Sequence, residues 1–94
     1  MIQYYYVYVL RSDRDKNFYV GFTKNLRRRV QEHEDGKVPS TKNRRPLHLV
    51  YWEGCLNQTD ATSREKYLKS SWGKRYIKNW LRYPMRRSLD CLTG

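Results

Sequence analysis

The chain has 94 residues, with 20 Lys+Arg against 9 Asp+Glu and a formal charge of +11. Such a length holds one domain with a thin core, and the longest apolar run, Tyr4 to Leu10, falls far short of the about 20 residues of a membrane span. The charge turns the chain away from basic partners and toward polyanions, nucleic acid first and an anionic membrane second, although many small basic proteins are merely soluble.

In chain order, Tyr4 to Arg11 is rich in β-branched and aromatic residues, Asp13-Arg14-Asp15-Lys16-Asn17 is polar and turn-like, and Phe18 to Phe22 is β-rich again. These read as an antiparallel hairpin. Thr23 is expected to cap a helix that Gly36 ends, with Leu26, Val30 and His33 along its inward stripe. Residues 37 to 46 form a basic loop closed by Pro46, Leu47 to Trp52 is a third strand, and a second helix runs from Thr59 or Asp60 to about Gly73. A third helix covers Lys74 to Tyr83. The expectation is a small α+β domain over residues 1–83, a three-stranded antiparallel sheet with about three helices, followed by a loosely ordered tail at 84–94. The N-terminus has no basic-then-apolar signal segment. Cys55 and Cys91 lack metal-ligand spacing and are too few for a disulfide framework, so a reducing, cytoplasmic setting is expected.

Helix spacing separates the charged residues. Arg29 follows Leu26 by three positions and precedes His33 by four, so it borders the apolar stripe, whereas Arg27 and Arg28 project elsewhere. In the second helix Glu65 falls within the stripe of Ala61, Leu68 and Trp72, so its carboxylate is expected in the core, where it requires an arginine, a lysine or a divalent metal. The loop residues Lys37, Thr41, Lys42, Arg44 and Arg45 suit phosphate contacts, which position DNA without reading its sequence, and later helices add Lys69 and Lys74. Trp72, Tyr76 and Trp80 read as core rather than as stacking platforms for bases.

Taken together, Tyr6-Val7-Tyr8, Tyr19-Val20-Gly21, the run from Thr23 to His33, Ser40 to Pro46 and Arg64 to Lys69 stand in one colinear register. This order resembles the signature of the GIY-YIG nucleases over residues 4 to 82, with Tyr6 where the motif has Gly. The resemblance implies hydrolysis of DNA phosphodiesters with one divalent metal, Mg²⁺ or Mn²⁺. It implies that Glu65 is the metal ligand, that Tyr8 acts as general base on water with Tyr19 assisting, and that Arg29 neutralises the pentavalent phosphate. His33 matches a position used by homing endonucleases of the family. Lys24, Arg27 and Arg28 join the basic loop as expected DNA contacts. Within that family the chain is most similar to small stand-alone bacterial members, so nicked, branched or flapped DNA, or a protein partner, would supply specificity. Two other readings keep the fold without turnover: a nonenzymatic nucleic-acid-binding module, and an adaptor in a repair complex. The paired tyrosines make one geometric demand, which is that Tyr8 and Tyr19 stand directly opposite each other on the hairpin.

Overall fold

A computed structural model describes residues 2–81, and the expected tail at 84–94 lies outside them, as do Cys91 and the Trp80 side chain. The elements are β1 (Tyr5–Ser12), β2 (Phe18–Thr23), α1 (Leu26–Glu34), a 3₁₀ turn (Lys42–Arg44), β3 (Leu47–Cys55), α2 (Gln58–Lys69) and α3 (Ser71–Leu81). The strands form one antiparallel sheet in the order β2-β1-β3.

Alternation along β1 divides the core between the two faces of this sheet. Val7 and Val9 point to one face, where they pack with Val20, Tyr51, Ala61, Leu68 and Ile77 under α2 and α3. Tyr8 and Leu10 point to the other, where Leu26, Leu47 and Leu49 join them beneath α1. The result is three layers, with the sheet buried between one helix and two. A register shift between Val9 and Leu10 in the β1–β3 ladder lets Leu49 and Tyr51 serve opposite faces: Val9 pairs with Tyr51 and Leu10 with Leu49.

The hairpin turn sets the register. Ser12 is fully buried, and its Oγ accepts from the amides of Arg14 and Asp15 and donates to the Arg44 carbonyl at 2.6 Å. Asp15 accepts from the Asn17 amide at 2.9 Å, and Lys16 turns the chain with φ 62°. Held this way, Tyr8 pairs with Gly21 and Leu10 with Tyr19. Direct opposition of the two tyrosines is therefore not what the fold uses. A shift of two residues preserves the face, because side chains alternate with period two, and Tyr8 and Tyr19 meet on the diagonal with ring centroids 6.4 Å apart.

Helix boundaries also differ from the sequence expectation. Asn25, not Thr23, caps α1, its side chain accepting from the Arg28 amide at 3.1 Å, while Thr23 ends β2 and receives the Asn25 amide. Asn57 caps α2 through the Asp60 amide at 2.8 Å. The second helix stops at Lys69, and α3 starts at Ser71, so Gly73 lies inside α3 instead of ending α2. The reason is packing. A Cβ on Gly73 would stand 2.1 Å from the Tyr67 carbonyl and 2.3 Å from Leu68 Cα, so this corner closes only on glycine.

Candidate active site

The site is built on the α1 face of the sheet and reaches its edge strand, β2. Tyr8 supplies its centre. Its ring lies across Gly21, where an added Cβ would come within 2.4 Å of Cζ and the hydroxyl, so glycine at that position makes the room. The Tyr8 hydroxyl is 2.8 Å from His33 Nε2, and His33 Nδ1 is 2.7 Å from Thr41 Oγ1. The imidazole also packs edge-on against both tyrosine rings, with centroids 5.6 Å from Tyr8 and 5.1 Å from Tyr19.

His33 and Thr41 are both fully buried. Thr41 Oγ1 has the Val38 carbonyl at 3.5 Å as an acceptor, which frees its lone pairs to receive the Nδ1 proton. That assignment leaves Nε2 as an acceptor and the Tyr8 hydroxyl as its donor. Burial, and secondly the Arg29 charge, push the His33 pKa down to about 4, so the ring is neutral at physiological pH. Burial likewise raises Tyr8 to about 12; the neighbouring Arg29 guanidinium pulls the other way, and the charges of Tyr19 and Glu65 add to the rise. Both groups therefore rest in their neutral forms.

Arg29 stands beside Tyr8 while donating to Glu32 Oε1 at 3.1 Å, its side chain 38% exposed. The Tyr8 oxygen first, then Glu32, holds its guanidinium protonated above the usual value. It is a fixed cation open to solvent beside the buried hydroxyl. Arg27 and Arg28 are exposed, as expected from the helix spacing.

Glu65 comes from the opposite face. It sits on α2, half-buried rather than in the core, with Oε2 3.1 Å from Lys69 Nζ. Its charge is nonetheless felt at Tyr8. The two faces meet at the β2 edge, where Tyr19, Lys69 and Lys74 line a notch of about 270 Å³. Trp72 does not share a buried stripe with Glu65: it is 68% exposed, because the break at Ser70 turns it out of the α2 periodicity. Tyr76, also expected in the core, is 38% exposed.

Among the described residues no cluster of three or more His, Cys, Asp or Glu side chains could enclose a metal. The donor set at hand is one half-buried carboxylate, Glu65, whose charge reaches the Tyr8 oxygen, with its lysine partner 55% exposed and free to swing away. Hard oxygen donors of this kind fit Mg²⁺ or Mn²⁺, which keep most of their waters and take the rest of their ligands from phosphate.

The basic residues divide into two groups. Lys24, Lys37, Lys42 and Lys74 are exposed. Thr41 is not a phosphate contact, since its hydroxyl is buried and occupied by His33; the buried Val38 in an otherwise polar loop was the signal that this segment folds inward. Arg44 is tied to Asp15 at 2.7 Å, and Arg45 donates to the Glu34 carbonyl at the end of α1 at 3.2 Å.

Three comparisons agree with this geometry. The family model described as GIY-YIG catalytic domain matches residues 4–82. A UPF0213 protein of Clostridium perfringens is 42% identical over 65 residues, covering 68% of this chain and 69% of the relative; another, from Pediococcus acidilactici, is 40% identical over 81 residues, covering 80% and 82%. The solution NMR structure of the UPF0213 protein BH0048 from Bacillus halodurans superposes with a TM-score of 0.57 at 28% identity, covering 88% of this chain and 90% of that one. The fold and the family model thus define a small α+β domain of a nuclease type. The chain belongs to the GIY-YIG family, and its relatives are small UPF0213 proteins.

Proposed function

We propose that this chain is a metal-assisted endonuclease that hydrolyses DNA phosphodiesters. The observation that carries the reading is the cluster of Tyr8, Tyr19, Arg29 and His33 on the α1 face of the sheet, with Glu65 on α2 close enough for its charge to reach Tyr8. Glu65 would hold a single Mg²⁺ or Mn²⁺, which supplies charge neutralisation at the phosphate and acidifies water. Arg29, already protonated and facing solvent, neutralises the non-bridging oxygens of the scissile phosphate as negative charge builds.

Tyr8 moves the proton. Its hydroxyl passes a proton to His33 Nε2 as it accepts one from the attacking water, so the phenol stays neutral and the imidazole carries the charge. Phosphate bound to Arg29 screens the cation that otherwise disfavours imidazolium, and Thr41 keeps Nδ1 protonated throughout. When the P–O bond breaks, the leaving oxygen takes a proton from solvent water, and His33 gives its own proton back through Tyr8 to water, which restores both neutral groups. Tyr19 packs on His33 and holds the ring in line.

The substrate class is nicked, branched or flapped DNA of the kind formed in repair or recombination, met in the cytoplasm, with specificity added by DNA shape or a protein partner. Plasmid nicking tests the reading. Supercoiled DNA with Mg²⁺ or Mn²⁺ should be nicked by the wild type and not after chelation, and Arg29→Ala and Glu65→Ala should each lower the rate by about 100-fold or more at unchanged folding. An inert wild type on plasmid, branched and flapped DNA would leave a binding module in its place.

A further inference from the structure

The surface formed by the end of α2 and the start of α3 is dense in aromatic rings and cations. Trp72 is 68% exposed, with the Arg75 guanidinium 5.1 Å from its ring centroid. Beside it in sequence, Tyr67 and Tyr76 are 41% and 38% exposed, and the Arg64 guanidinium lies against both rings, at 5.1 and 5.9 Å. Arg64 is itself fixed by a two-bond pair with Glu53, at 2.9 and 3.0 Å. From residue 64 to 79 every charged side chain except Glu65 is cationic.

This corner is rigid. Gly73 packs against the Tyr67 carbonyl and Leu68 with no space for a side chain, and Ser70 Oγ accepts the Gly73 amide at 3.2 Å. Trp72 is therefore presented to solvent from a fixed backbone, where packing in the core has no use for it. The notch at the β2 edge is lined by Tyr19, Lys69 and Lys74, and these two lysines belong to the same α2–α3 corner as Trp72.

We infer that Trp72, with Arg75 against its ring and Lys69 and Lys74 on the same α2–α3 corner, is a stacking site for an unpaired nucleobase of single-stranded nucleic acid. An exposed indole offers a π-face that every base can use, and neighbouring cations follow the phosphates; a paired base inside a duplex has no open face to give. Cationic surroundings disfavour a second copy of this +11 chain on the same surface. The inference rests on the proposed function in placing an unpaired strand beside the scissile phosphate, but its binding test does not depend on cleavage.

The test is fluorescence anisotropy with a labelled oligothymidylate and with a blunt duplex of equal phosphate number, in chelator so that nothing is cut. Trp72→Ala should weaken oligothymidylate binding by about fivefold or more, with duplex binding changed less than about twofold, and Trp72→Phe should keep most of the affinity. Equal losses on both ligands, or no loss on either, would overturn the site. So would a concentration-dependent dimer that Trp72→Ala dissolves while oligothymidylate affinity is intact, which would assign the surface to a second copy. Single-strand preference retained in a chain that never nicks DNA with metal would leave the stacking site standing and remove the nuclease.

Discussion

Gly21 and Tyr8 compete for the same volume. A single methyl at residue 21 would lie 2.4 Å from the Tyr8 ring and hydroxyl, and that ring is held at 1% exposure by Leu10, Leu26 and its bond to His33. Gly21→Ala is expected to destabilise the domain by about 1–3 kcal/mol and to displace the hydroxyl from Nε2, which urea unfolding and the loss of nicking would register together. His33 carries a pH signature of known sign. Its folded pKa of about 4 lies below the ordinary 6.5, so the unfolded chain binds the extra proton and stability falls as pH drops from above 6.5 toward 4. Between pH 7.5 and 5 the loss should be about 2 kcal/mol, and His33→Gln should flatten it. Asp13 and Asp15, whose carboxyls His48 and Arg44 hold below the usual value, add their losses only at lower pH. Colinear motifs singled out Tyr8, Tyr19, Arg29 and His33, and the fold does bring these four side chains together. Sequence pattern misplaced Thr41, whose hydroxyl looked suited to phosphate, because the inward tuck of the loop depends on contacts between segments distant in the chain.

At the scale of elements, the strands were legible because alternation is a property of the chain itself, and their bounds moved by only a few residues. The α2–α3 corner was not. An apolar stripe carried through Ser70 as one continuous helix puts Trp72 four positions past Leu68 and into the core; the real break rotates it away, and nothing local to those residues announces the break except Gly73. Gly73→Ala tests that account. A Cβ there meets backbone on both sides, so the corner must open, and a cost of about 1–3 kcal/mol or more is expected in thermal or urea unfolding. The same shift would carry Lys69 and Lys74 with it. Two-residue slippage in the hairpin was equally invisible beforehand, since it depends on how Ser12, Asp15 and Lys16 share the turn.

For the whole molecule, charge decides how DNA is met before chemistry begins. The +11 charge resides largely on exposed lysines and arginines, and each one that neutralises a phosphate releases a counterion. Affinity for any DNA should fall steeply with salt. Lys42→Ala, which removes an exposed cation with no ion pair among the described residues, should weaken binding to all sequences alike and lower the slope of log K against log salt by about 0.9 on duplex, measured by titration across salt concentrations. Arg44→Ala should instead act mainly through the lost Asp15 pair, with a small loss of stability in urea unfolding.

The groups proposed to act together are divided between layers that the sheet keeps apart: Arg29 and His33 arrive with α1 on one face, Glu65 with α2 on the other. A chain emerging from the ribosome with only its first helix docked has the proton path but no metal ligand. If the proposed site is right, competence to cut would coincide with completion of folding, and immature or damaged copies would hold on to DNA without breaking it.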